Sequence, residues 1–127
     1  MIKVMLVDDH KLVRDGLKAL IEKNNDFKVV CEAKSGEEAL DKITKDQKID
    51  LLIIDISLPG ISGIELTKQL KDSYPNLAVI ILSMHDDEDY YEDALNAGAI
   101  HCLAKDSTSE ELHSVMTSVF TKKKIRQ

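Results

Sequence analysis

Five short runs of β-branched and other apolar residues alternate along the chain with amphipathic segments of helical period. The third and fourth runs are apolar at every position, which is typical of strands covered by helices on both faces. Strict alternation of strand and helix favours right-handed crossovers and a parallel sheet. The sequence therefore predicts an α/β fold, a doubly wound five-stranded parallel sheet with helices on both faces. The predicted strands are residues 3–7, 28–32, 51–54, 78–82 and 100–104.

The segments between these runs carry helix signals of their own. Ser35 precedes Glu38, and Ser62 precedes Glu65, at the spacing of a capping box, in which each side chain satisfies one backbone N–H group at the start of a helix. Apolar residues at i, i+4, i+7 and i+8 predict one buried stripe on the first helix. That stripe consists of Val13, Leu17, Leu20 and Ile21.

The length and composition suit one globular domain. The chain has 127 residues, of which 43% are hydrophobic and 31% charged, and no apolar run approaches the ~18 residues of a membrane span. We therefore expect a cytoplasmic protein that does not enter membranes. Four of its cationic residues fall in the last six, so the rest is more acidic than the net charge of −6 indicates and should repel nucleic acid. We place the domain at residues 1–121, with residues 122–127 as a basic tail or the start of a linker.

Polar side chains follow four of the five predicted strands directly. Asp8 and Asp9 follow the first strand, Asp55 the third, Ser83 the fourth and Lys105 the fifth. In an open α/β sheet, ligands bind beyond the carboxyl ends of the strands. A single aspartate at a strand end is usually a turn former or a helix cap, but five such residues on one edge indicate a site.

The charges at this edge indicate a cation and a phosphoryl group. The three carboxylates of Asp8, Asp9 and Asp55 and the ammonium of Lys105 sum to a formal charge of −2. Carboxylates a few ångströms apart repel each other. Mg²⁺ would balance that charge, since it prefers oxygen ligands and retains waters that a phosphoryl oxygen can replace. Phosphoryl transfer needs a metal, a cation and an in-line nucleophile, and an aspartate can be that nucleophile.

These strand-end motifs resemble those of the response-regulator receiver family, in order and in spacing. The resemblance extends from residue 2 to about residue 120 and is closest to the branch with a LuxR-type helix-turn-helix domain. The segments that carry it are Val7-Asp8-Asp9-His10, Asp55-Ile56-Ser57-Leu58-Pro59-Gly60-Ile61-Ser62-Gly63, Leu82-Ser83 and Ala104-Lys105-Asp106.

The resemblance implies a role for each strand-end residue. Asp55 would accept the phosphoryl group from a sensor histidine kinase, and Lys105 and Ser83 would contact it. Mg²⁺ would be held by Asp8, Asp9, Asp55 and the backbone carbonyl of Ser57. The family also implies the strand order 2-1-3-4-5 and an output in transcription regulation through a DNA-binding domain outside this chain. This domain would not itself bind nucleic acid or turn over a substrate, beyond slow hydrolysis of its own phosphate.

Cys102 is a departure from the family pattern. Many members carry an aromatic residue three positions before the lysine. Either the small side chain lets the fourth helix move differently, or Tyr90 and Tyr91 supply the bulk. We expect phosphorylation to change the face formed by the fourth helix, fifth strand and fifth helix, and to promote homodimers there. We predict that Cys31 and Cys102 are free buried thiols, since free cysteine is usually buried. The strand order that the resemblance implies places them on opposite edges of the sheet, roughly 19 Å apart, whereas a disulfide needs Cα atoms within ~7 Å.

Three alternatives remain open from the sequence. A Mg²⁺-dependent aspartyl-phosphate phosphatase would also use a nucleophilic aspartate, but it usually adds a cap domain or a second acidic motif. A flavodoxin-like cofactor binder would need a phosphate-binding loop after the first strand, where Asp8 and Asp9 instead repel phosphate. A receiver-like docking module without phosphorylation would not need the complete acidic set.

Overall fold

Five strands and five helices alternate through the part of the chain that the structure, a computed structural model, describes: residues 2–43, 48–83, 88–104 and 109–125. All strand pairs are parallel, and the order is β2-β1-β3-β4-β5. The predicted fold class and strand order are therefore confirmed. The strands are β1 (Ile2–Val7), β2 (Phe27–Ala33), β3 (Leu51–Asp55), β4 (Ala78–Ser83) and β5 (His101–Ala104). The helices are α1 (Lys11–Ile21), α2 (Gly36–Ile43), α3 (Gly63–Ser73), α4 (Glu88–Ala97) and α5 (Ser109–Ile125).

The sheet separates two hydrophobic cores, because successive side chains of a strand point to opposite faces. In β3, Leu52 and Ile54 pack in the core that also holds Leu66 of α3, whereas Leu51 and Ile53 pack in the core that holds Met116 of α5. Every residue of β3 and β4 is buried. The continuous apolar runs in the sequence thus reflect coverage of both faces.

Helix α1 buries a different stripe from the predicted one. Ile21 is fully buried, but Val13, Leu17 and Leu20 are only half-buried, and the guanidinium-bearing Arg14 is 7% exposed. The buried face of α1 therefore centres on Arg14, Leu17 and Ile21, which are spaced at i, i+3 and i+7. The apolar residues alone had predicted a different centre for this face.

Both predicted serine caps form. Ser35 Oγ accepts a hydrogen bond from the backbone N–H of Glu38, and Ser62 Oγ accepts one from Glu65, each at 3.1 Å. The Glu38 carboxylate lies 2.9 Å from Lys42 Nζ, one turn along α2. The hydrogen bond from Lys42 holds the pKa of Glu38 below its usual value.

Helix α5 continues to Ile125, so the basic residues 122–124 extend that helix. The boundary that we placed at residue 121 remains a prediction. Within the described ranges, no helix is both long enough and apolar enough to cross a membrane.

The two cysteines are free and lie on the two edge strands, Cys31 on β2 and Cys102 on β5. Our prediction of buried thiols was wrong in degree, since both side chains are only half-buried. Edge strands have a neighbour on one side alone, so their side chains are covered incompletely. Burial nevertheless raises the pKa of both thiols. Cys102 packs against the core that contains Ala94 of α4.

Candidate functional site

The strand register brings Asp8, Asp55 and Ser83 to the carboxyl ends of neighbouring strands. Val7 pairs with Ile54, so the residues that follow them, Asp8 and Asp55, are adjacent on neighbouring strands. Parallel neighbours lie about 4.8 Å apart. Asp8 and Asp55 therefore occupy neighbouring positions at the carboxyl ends of β1 and β3, and their action as one site stays a prediction.

Both of these carboxylates are buried and held by the backbone that follows them. Asp8 is 2% exposed, and its Oδ1 accepts a hydrogen bond from the N–H of His10 at 2.9 Å. Asp55 is 3% exposed, and its Oδ1 accepts one from the N–H of Ser57 at 3.1 Å. Each aspartate side chain thus accepts a hydrogen bond from the backbone N–H two residues further along the chain, as turn-forming aspartates commonly do. Because both aspartates lie at strand ends, these turns fix the orientation of their carboxylates at the carboxyl edge of the sheet.

The other predicted site residues differ in how far they are buried, and one lies outside the described residues. Ser83 ends β4 and is 4% exposed, while Asp9 lies at the surface with its side chain 35% exposed. Ser57 is exposed in the loop after β3. Lys105 lies outside the described residues, but Ala104, which precedes it, pairs with Ser83 in the sheet.

Gly63, the first residue of α3, lets that helix start directly against the end of β3. A Cβ atom at Gly63 would lie 2.5 Å from the backbone oxygen of Asp55 and 2.9 Å from Cα of Ile56. The Gly63 N–H donates to the backbone oxygen of Ile56 at 3.1 Å. Only a residue without a side chain fits this contact, in which the start of α3 packs against the backbone of Asp55.

Arg14 is the residue beside the site that the sequence reasoning missed. Its Nη1 donates to the backbone oxygen of Asp8 at 2.8 Å, and its Nε donates to the Glu32 carboxylate at 2.9 Å. The guanidinium therefore ties α1 to the ends of β1 and β2. A weak signal was present in the sequence, since Arg14 shares helical spacing with Leu17 and Ile21, but a buried stripe is sought among apolar residues and arginine is seldom fully buried.

The donor set at this edge fits a hard divalent cation. Two buried carboxylates at adjacent strand ends carry like charges, and like charges at short range in a poorly hydrated site repel. A third carboxylate, that of Asp9, lies within 4.8 Å of that of Asp8 and remains open to water. Oxygen donors that surround an ion only partly are the arrangement that suits Mg²⁺, which keeps several waters.

A cavity of about 680 Å³ lies near the amino ends of β3 and β4, between the ends of α2 and α3. Its lining includes Ile43, Tyr74 and Leu77 together with Asp50. Asp50 accepts a hydrogen bond from the backbone N–H of Lys3. Since it holds none of the carboxylates at the carboxyl ends of the strands, this cavity is a poorer candidate for the chemistry than the acidic edge.

The fold and this edge together define a doubly wound α/β protein with an acidic pocket at the carboxyl ends of its strands. Residues 4–117 match the response regulator receiver domain family. The chain belongs to that family, whose members are signalling proteins rather than turnover enzymes.

The relatives belong to the branch that the motifs indicated. The chain is 36% identical to the response regulator UvrY of Escherichia coli over 95% of this chain and 55% of the relative. It is 35% identical to the transcriptional regulatory protein DegU of Brevibacillus brevis over 87% of this chain and 47% of the relative. It thus spans about half the length of these curated relatives. The crystal structure of a LuxR-family two-component response regulator from Aurantimonas sp. SI85-9A1 is 32% identical, with a TM-score of 0.88 over 94% of this chain and 85% of that one.

Proposed function

We propose that this domain is a cytoplasmic phosphorylation switch in which Asp55 receives a phosphoryl group from a phosphohistidine of a sensor kinase. The observation that carries the proposal is the burial of Asp55 beside Asp8 at adjacent strand ends. A buried carboxylate with a fixed orientation is preorganised for in-line attack.

The transfer can be written with the residues of this chain. A carboxylate oxygen of Asp55 attacks phosphorus, the new O–P bond forms, and the P–N bond breaks with its electron pair passing to the kinase imidazole. The N–H of Ser57 holds the carboxyl group in one rotamer through Oδ1. The Ser83 hydroxyl would donate to a phosphoryl oxygen, and the Lys105 ammonium would pair with another.

The metal of this site would be Mg²⁺, held by Asp8, Asp9, Asp55 and the backbone carbonyl of Ser57. When bound, it would neutralise charge on the phosphoryl oxygens. Asp8 is positioned for this by the backbone of His10 and, through its own carbonyl, by Arg14.

Intact mass after incubation with acetyl phosphate and Mg²⁺ tests the assignment. We expect the wild-type chain to gain one phosphoryl group, and Asp55→Asn to gain none. Asp50→Asn is the matched control, because Asp50 immediately precedes β3 at its other end and accepts its hydrogen bond through a carboxylate oxygen that an amide oxygen can replace. Phosphorylation that persists in a folded Asp55→Asn protein would place the acceptor elsewhere.

We further propose that phosphorylation promotes homodimers through the face formed by α4, β5 and α5. Exposed apolar residues support this face: Tyr91 and Leu95 lie one turn apart on α4, and Ile100 precedes β5. Sedimentation with and without acetyl phosphate tests it. We expect a phosphorylation-dependent dimer that Leu95→Glu weakens. An unchanged dimer in Leu95→Glu would assign self-association to another surface.

The output that we propose is transcription regulation through a helix-turn-helix domain. The relatives support it, since DegU is a transcriptional regulatory protein and about half of each relative lies outside the matched region. A DNA-binding assay on the longest form of the protein, with and without Asp55→Asn, tests this part.

A further inference from the structure

Arg14 places a permanent positive charge in the interior, beside the end of β1. Its side chain is only 8% exposed, and a buried arginine is rare unless its charge is paired. Nη1 donates to the backbone oxygen of Asp8 at 2.8 Å, and Nε donates to the Glu32 carboxylate at 2.9 Å. A planar guanidinium holds two acceptors in fixed directions at the same time. The side chain therefore fixes the end of β1 relative to the end of β2.

Glu32, at the end of β2, is also held by the second helix. Its backbone oxygen accepts a hydrogen bond from Lys42 Nζ of α2 at 2.6 Å. The same ammonium lies 2.9 Å from the carboxylate of Glu38. Glu32 thus contacts a cation of α1 through its carboxylate and a cation of α2 through its carbonyl. These contacts form a connected series from Asp8, across the end of the edge strand, to α2.

The first contact of this series acts on the orientation of Asp8. The N–H of Asp8 donates to the backbone oxygen of Ala33 at 3.1 Å, and Asp8 Oδ1 accepts from the N–H of His10 at 2.9 Å. Arg14 adds a bond to the carbonyl of the same residue. Because the carbonyl and the carboxylate are joined through one Cα atom, a fixed carbonyl limits the directions that the carboxylate can take.

We propose that Arg14 is a positioning residue that couples the Mg²⁺ affinity of the acidic edge to the order of the end of β2. Arg14 would not contact the ion; it acts through the backbone of Asp8. The inference rests on the proposed metal site and deepens it by naming the contact that regulates its affinity. Since a coupling between two sites is reciprocal, Mg²⁺ should in turn stabilise the end of β2.

Calorimetric titrations with Mg²⁺ separate positioning from charge, because the two predict opposite signs. Loss of a positive charge near the site would by itself tighten the binding of a cation. Loss of a positioning group should weaken binding, and we expect about a tenfold loss for Arg14→Met, as for other groups that orient metal ligands. Arg14→Lys keeps the charge without the planar fork and should also weaken binding. Lys11→Met is the matched control on the same helix, where the side chain is 78% exposed, and it should leave the affinity within about twofold.

Amide hydrogen exchange in the metal-free protein provides a second measurement that does not depend on the ion. Arg14→Met should speed exchange at His10, whose N–H bonds the Asp8 carboxylate. Exchange at Ser57, whose N–H bonds Asp55 in the corresponding turn after β3, should stay unchanged. A general loss of stability would speed exchange at both amides. Added Mg²⁺ should slow exchange at the end of β2 in wild type and have less effect there in Arg14→Met.

The outcomes distinguish this inference from the proposed function. Unchanged or tighter Mg²⁺ binding in folded Arg14→Met would overturn the positioning role, and so would wild-type affinity in Arg14→Lys, which would assign the effect to charge. An equal change of exchange at His10 and Ser57 would also overturn it, because Arg14 would then support the fold as a whole. If Arg14→Met does not fold, Arg14→Lys decides the question by the same two measurements. Wild-type protein that binds no Mg²⁺ would refute the proposed metal site itself.

Discussion

Replacement of Gly63 by alanine tests how closely α3 approaches the end of β3, where Asp55 lies. The added Cβ would lie 2.5 Å from the backbone oxygen of Asp55, about 1 Å inside the ~3.5 Å at which non-bonded heavy atoms normally touch. The atoms it meets are backbone atoms of Asp55 and Ile56, which cannot rotate away as a side chain can. Either the start of α3 or the end of β3 must move.

The cost should resemble that of overpacking a core, about 1–3 kcal/mol. At roughly 4 °C per kcal/mol for a domain of this size, Gly63→Ala should lower the melting temperature by about 4–12 °C. Gly16→Ala is the matched control. Gly16 lies within α1, and a Cβ there would meet nothing within 4 Å, so alanine should stabilise the helix by about 0.5–1 kcal/mol.

The two variants therefore carry the same chemical change with opposite expected signs. Urea unfolding followed by circular dichroism measures both, with equal m-values required for the comparison. Gly63→Ala should also weaken Mg²⁺ binding, because the backbone that carries Asp55 is displaced. If Gly63→Ala were as stable as wild type, the close approach of α3 to β3 would be refuted. A loss of stability in Gly16→Ala would instead show that α1 packs against something at that position.

Three further predictions concern charges and thiols. Asp9→Ala should weaken Mg²⁺ binding yet raise the melting temperature in chelator, because it relieves carboxylate repulsion; a lower melting temperature in chelator would contradict that reasoning. Arg14→Met should lower the free energy of unfolding by about 1–3 kcal/mol, since it leaves Glu32 unpaired, and Glu32→Gln should cost less in the same urea titration. Cys31 and Cys102 should react with iodoacetamide more slowly in the native protein than in urea, since burial raises both pKa values and lowers the thiolate fraction; equal rates would show that neither thiol is protected.

The local sequence pattern was sufficient to predict the strands and helices and to list the polar residues that follow the strands. A strand buried on both faces must be apolar throughout, so β3 and β4 could be recognised without a partner. Ser35 and Ser62 act on backbone groups only three residues away, so their caps could also be read directly. Asp8 and Asp55 could be assigned to neighbouring strand ends because parallel strands end at one edge, and the register of β1 and β3 places them there.

Long-range contacts could not be predicted from the sequence in the same way. The burial of Arg14 depends on a carbonyl of β1 and a carboxylate of β2, and the sequence shows neither distance nor direction between them. The half-burial of Cys31 and Cys102 follows from their place at the sheet edges.

The sequence by itself thus determined the α/β class, the succession of elements and the set of strand-end residues, because each depends on periodicity or on the chemistry of a few neighbouring positions. Tertiary structure alone decided which helix face is buried, how near α3 comes to Asp55, and that His10 Nδ1 lies beside two carboxylates. Those features depend on how separate backbone segments and rotamers are positioned in space, and packing fixes these only once the whole sheet has formed.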